Sequence, residues 1–284
     1  MAYPGTKKSR SIELQIIKQT HWETKVDPFF GGGGLSRAFL DHHTAEQTIA
    51  GEVFQPLRSL YTAQIDFKEL ADRVLWDIDE LGSGAFWASI QTALSEGNFR
   101  YTSAECFVIL NNLSHGNGMR HGKNKEGLAR HNTPLAPGKL EALRKRKVRA
   151  LIDPIAYRPT GQIFPDWRSA VMAAKGQRSI ALIDPPYIKA DSIYPNESST
   201  DCSVIPVSVA MLREYGAIVA YNSNCLELNE SFEAIARIYG YSCQMTVTDW
   251  ATRYRANSTK KEATETMWVF LPEFDRPSDG SSDL

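Results

Sequence analysis

Apolar runs that suit β-strands alternate along this chain with amphipathic stretches that suit α-helices, and this alternation is the strongest constraint on the fold. Strands that alternate with helices predict a mostly parallel sheet, because each parallel connection needs a crossover that covers a face of the sheet. The strand-like runs are residues 24–29, 47–53, 179–183, 217–221, 243–247 and 266–271, and the helix-like stretches are residues 35–42, 54–64, 167–175, 207–215 and 225–239. The sequence therefore predicts an α/β fold with a Rossmann-like sheet and helices on both faces.

The two halves of this predicted sheet are separated by a region of different character. Residues 66–150 are helical at first and then contain a polar loop that is too long for a simple connection in a compact domain. We predict that this region is an insertion between residues 1–65 and residues 151–273, which together form the α/β domain. The last two strand-like runs enclose a polar loop and predict an antiparallel hairpin at one edge of the sheet. The polar, acidic residues 274–284 predict a disordered tail.

Composition excludes several classes of protein. No apolar run among the 284 residues approaches the roughly 20 residues of a membrane span. The first residues are not followed by the apolar segment of a signal peptide. The four cysteines have neither CxxC spacing nor a nearby pair of histidines, which favours reduced thiols over a zinc site. These features predict a cytoplasmic protein without a membrane span or a metal ion.

A strongly basic segment interrupts an otherwise acidic chain. Residues 119–149 contain ten lysines and arginines but only two acidic residues, whereas the whole chain has a formal net charge of −1. A basic segment in an acidic protein is typical of a local polyanion contact such as nucleic acid. The alternative is a solvated loop whose charge has no partner.

A run of four glycines follows the first predicted strand and precedes a predicted helix. Residues 31–34, here called the glycine turn, allow the backbone to approach a ligand and present N–H groups, as in nucleotide sites at the carboxyl ends of parallel strands. About twenty residues further on, Glu52 ends the second predicted strand, where an acid commonly binds ribose hydroxyls. The pattern is neither GxGxxG nor GxxxxGK[ST], which disfavours nucleotide hydrolysis. A flexible turn and an exposed acid at a helix start are the alternatives.

The predicted strand at residues 179–183 runs into Asp184, Pro185, Pro186 and Tyr187. Two prolines fix the directions of nearby carbonyl and carboxylate groups, an arrangement that suits accepting hydrogen bonds from a planar amino group. A neighbouring tyrosine offers a face on which a base can stack. The tetrapeptide therefore favours a site for the exocyclic amine of a flipped nucleobase. A turn that only ends a strand is the alternative.

These features occur together in an order that resembles the Dam-type DNA adenine methyltransferases, from residue 3 to about residue 270. The segments that carry the resemblance are "YPGTKKSR", "DPFFGGGGLS", "AGEVFQPLRSLY", "FVILNNLSHGNGMRHGKNKEGLARHNTP", "IFPDWRSAV", "LIDPPY", "AYNSN" and "TKKEATETMWV". The sequence departs from the family pattern at Thr6, where a second glycine is usual, and at Asn112, where an arginine is usual. Many members have an aspartate at the position of Glu52.

The resemblance implies S-adenosylmethionine as the cofactor. It assigns the methionine part of the cofactor to the N-terminal motif, the ribose to Glu52, and the adenine to the segment that precedes the catalytic strand. The implied cofactor-binding residues are Tyr3, Gly5, Lys7, Asp27, Phe29, Phe30, Gly31, Gly33, Glu52, Asp166, Trp167 and Asp184.

The resemblance also implies the reaction and the substrate. Asp184, Pro185, Pro186 and Tyr187 would be the catalytic residues for methyl transfer to the N6 amine of adenine in double-stranded DNA. The residues implied to bind DNA are Asn111, Asn117, Gly118, Arg120, Lys123, Arg130, Lys145, Lys147, Lys260 and Lys261. For Lys260 and Lys261, an ordinary pair of charges in a hairpin loop is an equal alternative.

Three other functions compete with this interpretation. The nearest is a methyltransferase that acts on adenine in RNA or on the N4 amine of cytosine. A DNA-binding module that has lost turnover is disfavoured by the intact tetrapeptide and glycine turn. A nicotinamide oxidoreductase is disfavoured because its GxGxxG pattern is absent and because it would not explain the tetrapeptide.

Overall fold

The computed structural model describes residues 13–113, 122–123, 129–130, 140–141, 144–145, 151, 155, 157–174, 176–185, 215–223, 226–238, 241–252 and 261–272. The predicted site residues that lie outside these ranges are Tyr3, Gly5, Lys7, Asn117, Gly118, Arg120, Lys147, Pro186, Tyr187 and Lys260. The predicted tail, residues 274–284, and nearly all of the predicted helix at 207–215 also lie outside the described residues.

The described residues form a seven-stranded mixed sheet and a small two-stranded one. The strands are β1 (His21–Asp27), β2 (Thr44–Gly51), β3 (Gly122–Lys123), β4 (Ala129–Arg130), β5 (Ile163–Phe164), β6 (Gly176–Ile183), β7 (Tyr215–Ser223), β8 (Tyr241–Thr252) and β9 (Lys261–Pro272). The order across the large sheet is β5-β2-β1-β6-β7-β9-β8. The first five strands in this order pair in parallel, whereas β9 is antiparallel to both of its neighbours. The predicted antiparallel hairpin at one edge is confirmed.

A short 3-10 helix (Glu13–Ile16) and seven α-helices accompany the sheet within the described residues. The helices are α1 (Gly34–Phe39), α2 (Gln55–Thr62), α3 (Phe67–Leu81), α4 (Ser83–Thr92), α5 (Ser103–Leu113), α6 (Trp167–Ala173) and α7 (Leu226–Ile238). Local sequence explains several of their starts. The Asp66 carboxylate accepts hydrogen bonds from two backbone N–H groups in the first turn of α3, and Pro56 lies in the first turn of α2, where its missing N–H is not needed.

Helices cover both faces of the large sheet, as the sequence predicts. Because successive side chains of a strand point to opposite faces, neighbouring residues of β6 belong to two different cores. Ile180 and Leu182 pack in the core that contains Phe39 of α1. The alternate residues Ala181 and Ile183 pack in the core that contains Val171 of α6 and Phe232 of α7. The α/β fold class, with a Rossmann-like sheet between two helical layers, is confirmed.

A third core lies among α2, α3, α4 and α5. It contains Phe54 and Phe107, whose rings meet edge to face with centroids 6.0 Å apart. Phe30 and Ala50 from the ends of the first two strands belong to the same core, so the helical bundle packs directly onto the carboxyl edge of the sheet. None of the helices in the described part of the chain is long and apolar enough to cross a membrane.

Several predicted boundaries were wrong for identifiable reasons. Strand β1 ends at Asp27 and not at residue 29, because the following Pro28 has no N–H to donate and a turn begins there. Helix α1 ends at Phe39 and not at residue 42. Tyr215 begins strand β7 and does not end a helix. Strand β5 was not predicted, since two partly buried residues show no periodicity.

Candidate cofactor and catalytic site

The three features that the sequence singles out meet at one edge of the sheet. Val26 of β1 is paired with Ile49 of β2 on one side and with Ala181 of β6 on the other. Because the three strands run in parallel, their carboxyl ends lie at the same level. The glycine turn follows β1, Glu52 directly follows β2, and Asp184 directly follows β6. This edge is where α/β sheets bind their ligands.

The glycine turn has a shape that only glycine adopts easily. Gly31 and Gly33 have φ angles of 49° and 70°, in the left-handed region. A Cβ atom on Gly33 would lie 2.7 Å from the backbone oxygen of Tyr157 and 3.1 Å from the ring of Phe30. The hydroxyl of Tyr61 donates a hydrogen bond to the carbonyl of Gly31. The alternative of a merely flexible turn is disfavoured, because protein neighbours fix this backbone from two sides.

Asp27 lies at the end of β1, buried beneath the glycine turn. Its Oδ2 accepts a hydrogen bond of 2.8 Å from the hydroxyl of Ser36, and the carboxylate also accepts from the backbone N–H of Phe29. Burial, with a smaller contribution from the carboxyl of Asp184, raises the pKa of Asp27 to about 7, against the hydrogen bonds from Ser36 and Phe29 and the charge of Lys25. Asp27 is therefore bonded both to the segment that leads into the glycine turn and to the helix that follows it.

Glu52 is buried, which excludes the alternative of an exposed acid at a helix start. Its side chain is 6% exposed and its Oε1 accepts a hydrogen bond of 2.8 Å from the N–H of Phe54. Its backbone N–H donates to Phe164 of β5, and its carbonyl accepts from the guanidinium of Arg58 at 2.7 Å. The carboxylate is therefore held in a defined place beside the glycine turn.

Two aromatic residues come together near this edge. Phe29 and Trp167 stack with ring centroids 6.1 Å apart and an interplanar angle of 28°, and both are only partly buried. Such a pair can provide a wall for a planar ring. Phe30 points elsewhere: it is 3% exposed and meets the ring of Tyr61 edge to face at 5.0 Å. The prediction that Phe30 binds cofactor is thus not supported by its position, which is that of a core anchor.

Asp166, another predicted cofactor residue, begins helix α6. Its carboxylate accepts hydrogen bonds from both the hydroxyl and the backbone N–H of Ser169, at 2.7 and 2.8 Å. These bonds, led by the one from the hydroxyl, hold the pKa of Asp166 below its usual value. The residue therefore stabilises the helix start and keeps the neighbouring Trp167 in place, a role that its position in the motif alone did not reveal.

The end of β6 places Asp184 and Pro185, the start of the predicted catalytic tetrapeptide, at the same edge. Asp184 is partly exposed and Pro185 is buried. The effect of Asp184 on the pKa of Asp27 shows that the two carboxyls are close enough to interact. Asp184 therefore stands at the boundary between the buried strand ends and solvent, where a substrate group could reach it.

Lys25 is a buried charged residue near this edge that the sequence analysis did not single out. Its side chain is fully buried in the middle of β1, and its ammonium lies 4.5 Å from the centroid of the Tyr157 ring. Burial lowers the pKa of Lys25 to about 7, and the nearby carboxyl of Asp27 opposes this effect. A charged residue within a predicted strand that is buried on both faces was the signal that could have revealed it.

The predicted DNA-binding residues fall into different surroundings. The side chain of Lys145 is 71% exposed and pairs with Glu141 at 3.1 Å. Lys123 and Arg130 lie on strands β3 and β4, and Lys261 begins strand β9. The surroundings of Asn111 do not fit its prediction as a DNA-binding residue. It is fully buried in helix α5, so that its side chain is not presented to a nucleic acid.

Within the ranges that the structure describes, no group of three or more His, Cys, Asp or Glu side chains is arranged to hold a metal ion. The residues at the carboxyl edge are instead single carboxylates, an aromatic pair and a glycine backbone. This set can accept hydrogen bonds from hydroxyl and amino groups and can stack a planar ring.

Comparison with known proteins gives only distant likenesses. No protein-family model matches the sequence, and no curated protein is significantly similar to it. A protein from Pyrococcus horikoshii proposed to be an RNA methyltransferase is 11% identical with a TM-score of 0.42, over 95% of this chain and 84% of that chain. A precorrin-6y C5,15-methyltransferase from Geobacter metallireducens GS-15 is 9% identical with a TM-score of 0.38, over 94% and 88%. These values carry no argument about function.

Proposed function

We propose that this protein is an S-adenosylmethionine-dependent methyltransferase that modifies the N6 amine of adenine in double-stranded DNA. The observation that carries the proposal is the convergence of the glycine turn, buried Glu52 and Asp184 at the carboxyl ends of three adjacent parallel strands. In this proposal, Glu52 would be the acceptor for the ribose and Asp184 the acceptor for the amine, at the ends of the two strands that flank β1. The chain's motifs resemble those of the Dam-type enzymes, and this resemblance indicates methyl transfer to the N6 amine of adenine as the reaction.

The reaction needs an acceptor for the target amine more than it needs a base. The lone pair of an adenine amine is delocalised into the ring, so the nitrogen is a poor nucleophile. Hydrogen bonds from its two N–H groups to the Asp184 carboxylate and the Pro185 carbonyl would bias it toward tetrahedral geometry and direct the lone pair. Tyr187 would stack on the flipped base, a contact that contributes about 1–3 kcal/mol.

The cofactor would supply an electrophilic methyl group on its sulfonium. Glu52 would bind the ribose hydroxyls, and Phe29 with Trp167 would hold the adenine ring of the cofactor. Holding the two reactants in line contributes most to the rate, since such positioning can be worth about 7–11 kcal/mol. The proton of the amine leaves after methyl transfer, to Asp184 or to water.

The assay that tests this function supplies radiolabelled S-adenosylmethionine with unmethylated duplex DNA or with RNA of matching sequence. We expect label in the DNA and N6-methyldeoxyadenosine after enzymatic digestion and mass spectrometry. Label in RNA alone, or in the N4 amine of cytosine, would favour the alternative methyltransferase. Cofactor binding without transfer to any nucleic acid would contradict the proposal.

Replacing Glu52 with alanine should weaken binding of S-adenosylmethionine about ten- to hundredfold. The expected loss corresponds to one charge-assisted hydrogen bond, about 1.5–3 kcal/mol. Because Glu52 also accepts a bond from the N–H of Phe54, the matched variant is Glu52→Gln, which keeps that acceptor without the charge. Calorimetry that finds the same cofactor affinity in the wild type and in both variants would locate the ribose elsewhere.

The basic segment at residues 119–149 should contain two kinds of DNA contact. Neutralising Lys145 and Lys147 should weaken binding to every duplex alike and reduce the salt slope by about one unit for each lost phosphate contact. Arg120→Ala should instead cost about 1–3 kcal/mol on the preferred sequence and much less on scrambled DNA. Titrations at several salt concentrations, with exposed Lys68 replaced as the control, separate the two effects. Unchanged affinity in all variants would mean that the segment is a solvated surface.

A further inference from the structure

Lys25 occupies a position where an aliphatic residue would be expected. It lies in the middle of β1 and is paired in register with Thr48 of β2 and with Ile180 of β6. Its side chain is fully buried. Burying a lysine is costly unless its charge is paired or hydrogen-bonded, because the ammonium must give up its hydration. Neither the motif resemblance nor the proposed function assigns this residue a role.

The ammonium of Lys25 contacts helix α1, which follows the glycine turn, and Tyr157, which packs against it. It lies 3.4 Å from the carbonyl oxygen of Ser36 in the first turn of α1. It also lies 4.5 Å from the ring centroid of Tyr157, within the range of a cation–π contact, and 5.3 Å from that of Phe39. Tyr157 is the residue whose backbone oxygen closes over Gly33.

Ser36 connects the lysine to the carboxylate beneath the turn. Its carbonyl accepts from Lys25 and its hydroxyl donates to Oδ2 of Asp27, so that one residue joins both charges. Lys25 and Asp27 are two residues apart on β1 and therefore point to the same face of the sheet. Lys25 and Asp27 are therefore joined through Ser36 at the end of β1 that precedes the glycine turn.

We propose that Lys25 is a positioning residue for the cofactor site: its buried ammonium favours the ionised form of Asp27, which is the form whose two oxygens can both accept hydrogen bonds, from Ser36 and from the segment that leads into the glycine turn. The inference rests on the proposed function, since it makes cofactor affinity depend on a residue that does not touch the cofactor. An ionised Asp27 accepts hydrogen bonds on both oxygens, whereas a protonated one must find an acceptor for its own proton. Loss of the Lys25 charge would therefore change the hydrogen bonding of this buried carboxylate at the end of β1.

The electrostatics of the neighbourhood agree with this role. Burial is the main cause that raises the pKa of Asp27, and Asp184 at the end of β6 acts in the same direction. Lys25 opposes both effects. The other titratable groups that surround the pair are Tyr157, over the ammonium, and His43, whose ring stacks on Phe39 at 4.7 Å. Among the groups that shift the pKa of Asp27, Lys25 is the one cation.

The test compares Lys25→Met, Lys25→Gln and Asp27→Asn with the wild type by calorimetric binding of S-adenosylmethionine between pH 6 and pH 9. Both lysine variants should bind about fivefold more weakly at pH 7, because a rise of one unit in the pKa of Asp27 from about 7 lowers its ionised fraction from about one half to about one tenth. Their affinity should recover as the pH rises, because Asp27 then ionises without its counter-charge. Asp27→Asn should be weak at every pH, and adding Lys25→Met to it should have little further effect.

Several outcomes would overturn the inference. Cofactor binding by Lys25→Met at the wild-type affinity would contradict the inference. A loss of affinity that is the same at every pH would indicate a purely structural role. Lys25→Gln, which can still donate to the Ser36 carbonyl, must follow Lys25→Met, because a wild-type profile would assign the role to the hydrogen bond and not to the charge.

A separate measurement does not depend on the cofactor. Titration of the Asp27 carboxyl carbon by carbon-13 NMR should show its pKa rising in Lys25→Met, and an unchanged value would refute the coupling. If the wild type binds no S-adenosylmethionine, the proposed function fails and the positioning role fails with it, whereas the NMR titration still decides whether Lys25 keeps Asp27 ionised.

Discussion

Replacing Asp184 with alanine is expected to abolish methyl transfer while S-adenosylmethionine still binds. The change removes an acceptor for the target amine, and a group positioned for such a role contributes about 10²- to 10⁴-fold to the rate. Cofactor affinity should not fall, because Asp184 raises the pKa of Asp27 and its removal leaves the latter more readily ionised. Single-turnover transfer of a radiolabelled methyl group to duplex DNA, together with calorimetry of cofactor binding, measures both quantities.

Two further variants sharpen this experiment. Asp184→Asn keeps one carbonyl acceptor without the charge and should retain more activity than Asp184→Ala. Asp41→Ala changes an exposed aspartate just after α1, at the opposite edge of the sheet, and should leave transfer unchanged. Transfer by Asp184→Ala near the wild-type rate would remove Asp184 from the mechanism. A loss of cofactor binding in the same variant would instead assign it to the cofactor site.

The main sheet could be predicted because its strands are buried on both faces. A buried parallel strand must be apolar at nearly every position, and the predicted runs within β6 and β7 satisfy this requirement except at Ser179. The hairpin of β8 and β9 could be predicted from two strand-like runs around a polar loop. Strand β5 could not, since its two residues depend on pairing with β2 and carry no pattern of their own.

The alignment of the strand ends that carry the candidate site was predictable, but the surroundings of each residue were not. Strand ends align once the sheet is parallel, so the meeting of the glycine turn, Glu52 and Asp184 follows from topology. Roles depend on tertiary contacts that no motif specifies. Phe30 belongs to the core and Asp166 binds the start of its own helix, although both lie in segments that the resemblance assigns to the cofactor.

Buried polar residues were the least predictable from the sequence. Asn111 lies in an apolar helix segment and was assigned to DNA by its place in a motif, but helix α5 turns it into the core. Lys25 was overlooked because a charged residue inside a strand is usually exposed. In both cases the surroundings of the side chain, formed by residues distant in the chain, determine what it can do.

The position of Gly51 leads to the largest expected change in stability. Gly51 ends β2, and a Cβ atom there would lie 2.3 Å from the carbonyl oxygen of Pro28, a backbone atom that cannot move aside cheaply. Its own carbonyl accepts a hydrogen bond of 3.0 Å from the N–H of Phe30. We expect Gly51→Ala to lower the free energy of unfolding by about 1–3 kcal/mol, the cost of overpacking. Since the ends of β1 and β2 must separate, cofactor affinity should fall as well.

Two other glycines separate overpacking from backbone strain in the same denaturation experiment. Gly82 has a φ of 76° and a ψ of 151°, a backbone region that essentially only glycine adopts, but open space around its Cβ position, so Gly82→Ala should cost only backbone strain, about 1–3 kcal/mol. Gly84 lies in helix α4, also with open space, and Gly84→Ala should raise the free energy of unfolding by about 0.5–1 kcal/mol. Neither variant should alter cofactor affinity, because both glycines lie at the junction of α3 and α4, away from the strand ends. If Gly51→Ala is as stable as the wild type, the close contact between the ends of β1 and β2 is not a fixed part of the site, and the placement of Glu52 beside the glycine turn loses its support.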